Sequence, residues 1–278
     1  MKIHNIITCV NESKTYTEFV PLWSIAWKKI TNANLIIGIV GTKSEDIDFV
    51  EKVSKYAEVF TLPKIKQIDS GIQAKVTRMI LASDERYADS NCMIVDIDMI
   101  PLNERVLQPF EEVSEEFDIA RWGLDHPVYS LGKPDYGKWP MDRTVVKNKF
   151  FKNIINPNNL PYNEVIQQWV GYKRFGRESV DLPFNIFSDE SLLRALIHDY
   201  QKKNVIKMVD LPRISLETTL FSGRLDRTDL TKWDKRYILE KLNSKEIFEI
   251  HGIRPLVDNI EYYENILSYL NLRKEDII

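Results

Sequence analysis

Asn91-Cys92-Met93-Ile94-Val95-Asp96-Ile97-Asp98-Met99-Ile100-Pro101-Leu102 is an apolar run that carries two carboxylates, one residue apart, straight into a proline. Side chains two apart on a strand share a face, so this spacing predicts that Asp96 and Asp98 project together from a strand's carboxyl end. Open α/β sheets bind their ligands at that end. Two hard oxygen donors there suit a divalent cation and the phosphates it holds. Carboxylates this close repel unless a cation or an arginine offsets them. The competing explanation is a strand end whose acids face solvent or cap the next turn.

Upstream, apolar segments alternate with amphipathic ones. Ile3 to Val10 reads as a buried strand, broken by the polar Asn11 to Lys14. A helix is expected from about Tyr16 to Ile30, with Phe19, Leu22, Trp23, Ala26 and Trp27 on one apolar face. Leu35 to Val40 is a second strand, Asp46 to Ala57 a second helix, Val59 to Leu62 a third strand and Ser70 to Ser83 a further helix. This alternation implies βαβ units, and so a mixed, mainly parallel central sheet flanked by helices. Lys75 and Arg78 lie three apart on the last of these helices and share a face, which is either solvated or turned towards a bound pyrophosphate.

Downstream, the regular pattern fades from Arg121 to Asn185, a stretch rich in Pro, Gly, Asn and Tyr that holds Trp122, Trp139 and Trp169. Exposed aromatic platforms suit the apolar faces of sugar rings, and buried packing is the alternative for any one of them. A helix from Phe187 to Lys202, opened by Ser188 or Asp189 as N-cap, is followed by a short strand at Val205 to Leu211. Beyond Ile247 to Pro255, a closing helix runs from about Ile260 to Leu272.

The 278 residues suffice for one sizeable α/β domain, and the 44% hydrophobic content is ordinary for a globular core. With 38 basic and 41 acidic residues, the net charge of −3 supplies no general field for nucleic acid or an anionic membrane. Any anion site is therefore local. Cys9 and Cys92 lie in separate apolar stretches with no Cys-x-x-Cys spacing, which reads as two core thiols. Met1 to Val10 is too short, and too interrupted by His4 and Asn5, for a secretory core. No run reaches the ~20 apolar residues of a membrane span, so the expected location is cytoplasmic. The 10 glycines form neither familiar phosphate-loop pattern, which argues against a P-loop NTPase and a dinucleotide-dependent dehydrogenase.

Four patches together resemble the GT-A class of nucleotide-sugar glycosyltransferases, chiefly the retaining enzymes related to glycogenin and the bacterial lipooligosaccharide galactosyltransferases, with uncharacterised viral and microbial relatives. Ile7-Thr8-Cys9-Val10-Asn11, with Tyr16 beyond it, resembles the strand and loop that hold the uracil and ribose. Lys75-Val76-Thr77-Arg78 resembles the helix whose arginine contacts the donor. Val95-Asp96-Ile97-Asp98-Met99-Ile100-Pro101 resembles the metal motif. His251-Gly252-Ile253-Arg254-Pro255 resembles the segment that brings a histidine to the same cation and a basic residue to the phosphates, with Arg254 where many relatives place a lysine. Phe187 to Leu193 resembles the helix start near the sugar's reacting carbon, with Glu190 in place of a glutamine.

The resemblance implies a single GT-A (Rossmann-like) domain, with a nucleotide-binding half at residues 1–103 and an acceptor-binding half, including the metal-ligand segment, at 104–278. It implies transfer of a sugar from a UDP-sugar donor to a glycan, protein or small-molecule acceptor, whose hydroxyl would arrive from the irregular middle segment near Trp122, Asp125 and His126. Mn²⁺ or Mg²⁺ would be held by Asp96, Asp98 and His251, and the nucleotide and phosphates by Thr8, Val10, Asn11, Tyr16, Lys75, Arg78, Asp96, Ile97, Asp98, Gly252 and Arg254. Asp189 and Glu190 would face the donor sugar, where a carboxylate serves either as base for inversion or as stabiliser of an oxocarbenium-like sugar in retention. Helix capping explains the same letters. Other readings of the Asp-x-Asp run are a haloacid-dehalogenase-type phosphatase, a sugar nucleotidyltransferase and a non-catalytic carbohydrate-binding protein. The first lacks its usual Asp-Gly-Thr, since Met99 and Ile100 follow Asp98.

Overall fold

The computed structural model describes residues 1–41, 47–66, 68–122, 141, 143–170, 188–211 and 223–277. Its larger sheet is built from β1 (Asn5–Asn11), β2 (Asn34–Val40), β3 (Glu58–Leu62), β4 (Asn91–Ile94), β6 (Ile119–Trp122), β7 (Thr144–Lys147) and β8 (Met208–Leu211). Their order is β3-β2-β1-β4-β7-β6-β8, and only β7 runs against the rest. The fold is therefore a Rossmann-like α/β fold with a mainly parallel sheet.

The apolar runs bury both faces of this sheet, as parallel strands require. Ile6, Leu35, Ile37, Met93 and Val95 face one core, and Ile7, Ile36, Cys92 and Ile94 face the other. Helix α2 (Phe19–Ile30) joins the first core, and α4 (Ser70–Ala82) the second through Val76 and Met79. Gly38 is needed on β2 because a Cβ there would lie 2.8 Å from Cys9 Sγ and 3.0 Å from Leu81 Cδ1. Cys92 is buried and Cys9 half-buried, and both are free thiols.

A second, three-stranded sheet has the order β5-β10-β9, formed by Met99–Pro101, Glu249–His251 and Arg224–Leu225. Its antiparallel register sets His251 opposite Met99 and Ile250 opposite Ile100. Parallel pairing sets Ile250 opposite Leu225. Segments more than 120 residues apart in sequence thereby meet just beyond β4.

Several expected boundaries shift. The expected helix from Tyr16 divides into α1 (Lys14–Thr17) and α2, and α2 is buried all round from Phe19 to Trp27 because it also packs against β5. The helix expected at Asp46 to Ala57 is α3 (Ile47–Ser54), and position 46 lies outside the described residues. Within the stretch read as irregular are the four-residue β7 and the helices α6 (Asn148–Ile155) and α7 (Tyr162–Val170), and the polar outer faces of the two helices diluted the apolar signal. Asp189 lies inside α8 (Ser188–Gln201) rather than capping it, and position 187 lies outside the described residues. The closing helix is a 3₁₀ segment, Val257–Tyr263, running into a short α-helix, Glu264–Tyr269. Among the described residues no helix is long and apolar enough to cross a membrane.

Candidate active site

Sheet order locates the cleft. β2 and β3 lie to one side of β1 and β4 to the other, so the crossover direction reverses between β1 and β4, and the carboxyl ends of those strands open a crevice. Asn11 ends β1 there, and Val95, Asp96, Ile97 and Asp98 follow β4.

The two acids of the motif do not share a strand face. β4 stops at Ile94, and the chain turns, with Met99 N–H donating to Asp96 O at 3.2 Å. The expected parallel projection is corrected accordingly: Asp96 is 41% exposed at its side chain and Asp98 only 7%. Each meets a different set of partners.

Asp96 turns towards α4. The Arg78 guanidinium, buried on that helix, donates through Nη1 to Asp96 and through Nη2 to Asp189 in the first turn of α8. Burial disfavours the charged Arg78, and the two carboxylates outweigh it, so its pKa rises. Burial likewise opposes the Asp189 carboxylate, and Arg78 and Lys75 overcome it, holding it below the usual range. Arg78 thus ties together β4's exit loop, α4 and α8. The α4 amino terminus is fixed by Asp69, which accepts from Ile72 N–H at 3.0 Å, while Asn11 Nδ2 donates to Ser70 Oγ at 3.3 Å. Glu190 is half-buried beside Asp189.

Asp98 turns the other way, towards the chain's last third. Its Oδ2 lies 3.4 Å from His251 Nε2, 3.2 Å from Arg254 Nε and 3.3 Å from Arg227 Nη2. Arg227 Nη2 also contacts His251 Nε2, and His251 Nδ1 lies 3.1 Å from Asp226 Oδ2. Burial would raise the Asp98 pKa, but His251, Arg254 and Arg227 lower it on balance. Burial works against the imidazolium, whereas Asp226 and Asp98 favour it and raise His251 to about 9. Asp226 is correspondingly pulled down to about 2, chiefly by His251.

The small sheet explains how this cluster forms. Pairing of β5 with β10 carries His251 to the Asp98 end, and Gly252 N–H donates to Asp98 O at 2.7 Å. Pairing of β9 with β10 then puts Asp226, the residue after β9, beside His251. Gly252 is sterically required, since a Cβ would sit 2.4 Å from Phe19 Cε1 and 2.8 Å from Tyr263 Oη. Arg254 Nη1 donates to Tyr16 Oη, with its guanidinium 5.0 Å from the Tyr16 ring centroid. Tyr16, Asp98, His251, Gly252 and Arg254 are thereby assembled from three distant stretches.

Other expected residues fall at the margins. Thr8, Val10 and Ile97 are buried, and Thr8 Oγ1 has no hydrogen-bond partner. Trp122 is not an exposed platform: it is buried, with the Arg143 guanidinium over its ring at 3.1 Å and Phe248 at 6.3 Å between centroids. Trp169 is buried too, its Nε1 donating to Ile155 O at 2.8 Å. Asp125, His126 and Trp139 lie outside the described residues. Sequence reasoning missed Asp226 and Arg227, whose visible signal is a helix start: Asp226 caps the short helix α9 (Arg227–Leu230).

Among the described residues no three His, Cys, Asp or Glu side chains surround one point as metal ligands. What the cluster offers a cation is one carboxylate oxygen of Asp98 facing one imidazole nitrogen of His251, with Asp226 on the far side of the ring. These are two donors, one oxygen and one nitrogen, which would leave open positions for phosphate oxygens on a divalent cation.

No protein-family model matches the sequence, and no curated protein is significantly similar to it. Among solved structures, the fold is similar to that of the glycosyltransferase GlyE of Streptococcus pneumoniae TIGR4, with a TM-score of 0.51 at 11% identity over 97% of this chain and 63% of that one. Against the apo form of the same protein the TM-score is 0.52 at 10% identity, over 98% of this chain and 63% of that one. This chain spans less than two thirds of those proteins' length, and the likeness is one of fold.

Proposed function

We propose that the chain is a GT-A glycosyltransferase that moves a sugar from a UDP-sugar donor to an acceptor hydroxyl, assisted by Mn²⁺ or Mg²⁺ and with retention at the anomeric carbon. One observation carries the reading. At the switch point of a mainly parallel sheet, Asp98 meets His251 and Arg254 from a segment at the other end of the chain, and Arg254 meets Tyr16. That is a compact array of phosphate-binding and cation-binding groups on the side where such sheets bind nucleotides. The fold likeness to a protein titled a glycosyltransferase supports the same direction.

Breaking a sugar–phosphate bond leaves negative charge on the nucleoside diphosphate while the sugar becomes oxocarbenium-like. A bound divalent cation would stabilise the departing diphosphate, held by Asp98 and His251 with Asp96 on the same loop. Arg254 and Lys75 add fixed positive charge, Asn11 and Tyr16 line the nucleotide side, and Asp189 and Glu190 stand at the α8 start to face the donor sugar. Asp189 is kept ionised there by Arg78 and Lys75. Residues 1–103 would serve the nucleotide, and 104–278 the acceptor, together with the metal-ligand segment that carries His251 and Arg254.

The test is a screen of UDP-sugars with Mn²⁺, with and without chelator, followed by determination of the product's anomeric configuration. Chelator-sensitive release of UDP with a retained anomer is the expected result. No turnover of any UDP-sugar, together with no heat of UDP binding in Mn²⁺, would reject the enzyme reading. An inverted product would reject retention alone.

A further inference from the structure

Arg227 stands on the two atoms that the proposed cation needs. Its Nη2 is 3.3 Å from Asp98 Oδ2 and in contact with His251 Nε2, the pair of atoms that face each other at 3.4 Å. We propose that Arg227 is an internal stand-in for the divalent cation, displaced when the ion binds and then turned to the phosphates of the donor. This rests on the cation reading given above.

Charge and geometry support it. Arg227 Nη2 and a divalent ion cannot both take the space between Asp98 Oδ2 and His251 Nε2. Asp98 is buried, and Arg254 Nε remains within 3.2 Å of it when Arg227 leaves, so the carboxylate is not stranded. Arg227 is anchored at its backbone, and its side chain is reached by solvent. Asp226 caps its helix by accepting from Thr228 N–H at 3.4 Å, whereas the Arg227 side chain is 31% exposed, compared with 7% for Asp98. A planar fork on a long, partly exposed side chain suits a phosphate oxygen pair. Where it stands, the same fork helps neutralise Asp98, which burial would otherwise penalise as a charge.

The consequence is a pair of effects of opposite sign from one substitution. Arg227→Gln should bind MnCl₂ alone about tenfold more tightly, read from the free Mn²⁺ signal in electron paramagnetic resonance, since a competing charge is gone. The same variant should bind UDP in saturating Mn²⁺ about tenfold more weakly by calorimetry, since a charge-assisted bond to phosphate is lost. Arg227→Lys, which keeps the charge without the fork, should move both in the same directions by less, and it carries the test if the glutamine variant does not fold. A merely structural role would weaken both affinities together. Mn²⁺ affinity that is unchanged or lower in the variants, or UDP affinity that is unchanged, would overturn the proposal. Asp98→Asn separates the levels: if it abolishes Mn²⁺ uptake by the parent while Arg227→Gln changes nothing, the cation site stands and the role of Arg227 falls. If the parent takes up no Mn²⁺ even with UDP, both fall.

Discussion

Gly252→Ala tests whether close packing at the C-terminal segment is what presents His251 to Asp98. The added Cβ would lie 2.4 Å from Phe19 Cε1, 2.9 Å from Phe19 Cζ and 2.8 Å from Tyr263 Oη. Neither ring can yield easily. Both are fully buried, they pack edge to face at 6.4 Å, and Tyr263 Oη donates to Ile253 O at 3.0 Å. Overpacking of this kind costs about 1–3 kcal/mol. The backbone shift needed for relief also lengthens the 2.7 Å bond from Gly252 N–H to Asp98 O, which adds about 1 kcal/mol. The sum, about 2–4 kcal/mol, corresponds to a fall in melting temperature of about 5–15 °C for a domain of this size. Calorimetric melts measure it, and UDP titration in Mn²⁺ reads the displaced His251. Phe19→Leu in the same chain should recover part of the loss, because it removes the ring atoms the new methyl strikes. A melting point equal to the parent's, or a double variant whose losses simply add, would refute the steric argument.

Other perturbations address the two charged clusters. Arg78→Met should destabilise the protein by about 3–5 kcal/mol in urea unfolding, since it strands the buried Asp189 carboxylate; an unchanged unfolding midpoint would count against that ion pair. The Asp189 pKa is depressed in the folded chain, so its ionisation stabilises the fold fully above 3.8, and that contribution is lost as pH falls through the lower folded value. Urea melts across that interval should therefore show a steeper acid loss in the parent than in Asp189→Asn, and parallel curves would contradict it. Asp226→Asn should weaken Mn²⁺ affinity in the presence of UDP about 10–100-fold, through loss of the carboxylate that fixes the His251 ring. Mn²⁺ binding equal to the parent's would remove Asp226 from that role.

The elements that were legible in the sequence are those whose side chains answer to a single period. β1, β2 and β4 are buried on both faces, so each is a short continuous apolar run, and α4 shows its Val76 and Met79 stripe plainly. The small sheet was not legible. Its strands are two or three residues long, and its pairings, such as Met99 with His251, join residues from opposite parts of the chain, which no local pattern encodes. Trp122 shows the same limit: composition suggested a surface platform, but the Arg143 guanidinium stacks on the ring in the interior. Asp226 and Arg227 carried only a capping signature, because their nearness to His251 depends on the β9–β10 pairing.

The site itself was half legible, and the illegible half changes what the motif means. Period-two reasoning put Asp96 and Asp98 on one face and required a cation or an arginine to offset their repulsion. The chain turns after Val95, and it meets that requirement with arginines: Arg78 for Asp96, and Arg227 and Arg254 for Asp98. Acid spacing alone therefore does not distinguish a metal motif from a pair of internal salt bridges. The distinction lies in which guanidinium can leave. Arg78 is buried and shared with Asp189, so freeing it would strand a second carboxylate. Arg227 is partly exposed, and Asp98 keeps Arg254 without it. The exchangeable side of the motif is thus Asp98, where the carboxylate also faces an imidazole nitrogen. On this argument Asp98→Asn should abolish Mn²⁺-dependent turnover of a UDP-sugar, whereas Asp96→Asn should lower it while leaving measurable Mn²⁺ uptake. The reverse ranking in Mn²⁺ titrations would show that the cation sits on the Arg78 side instead.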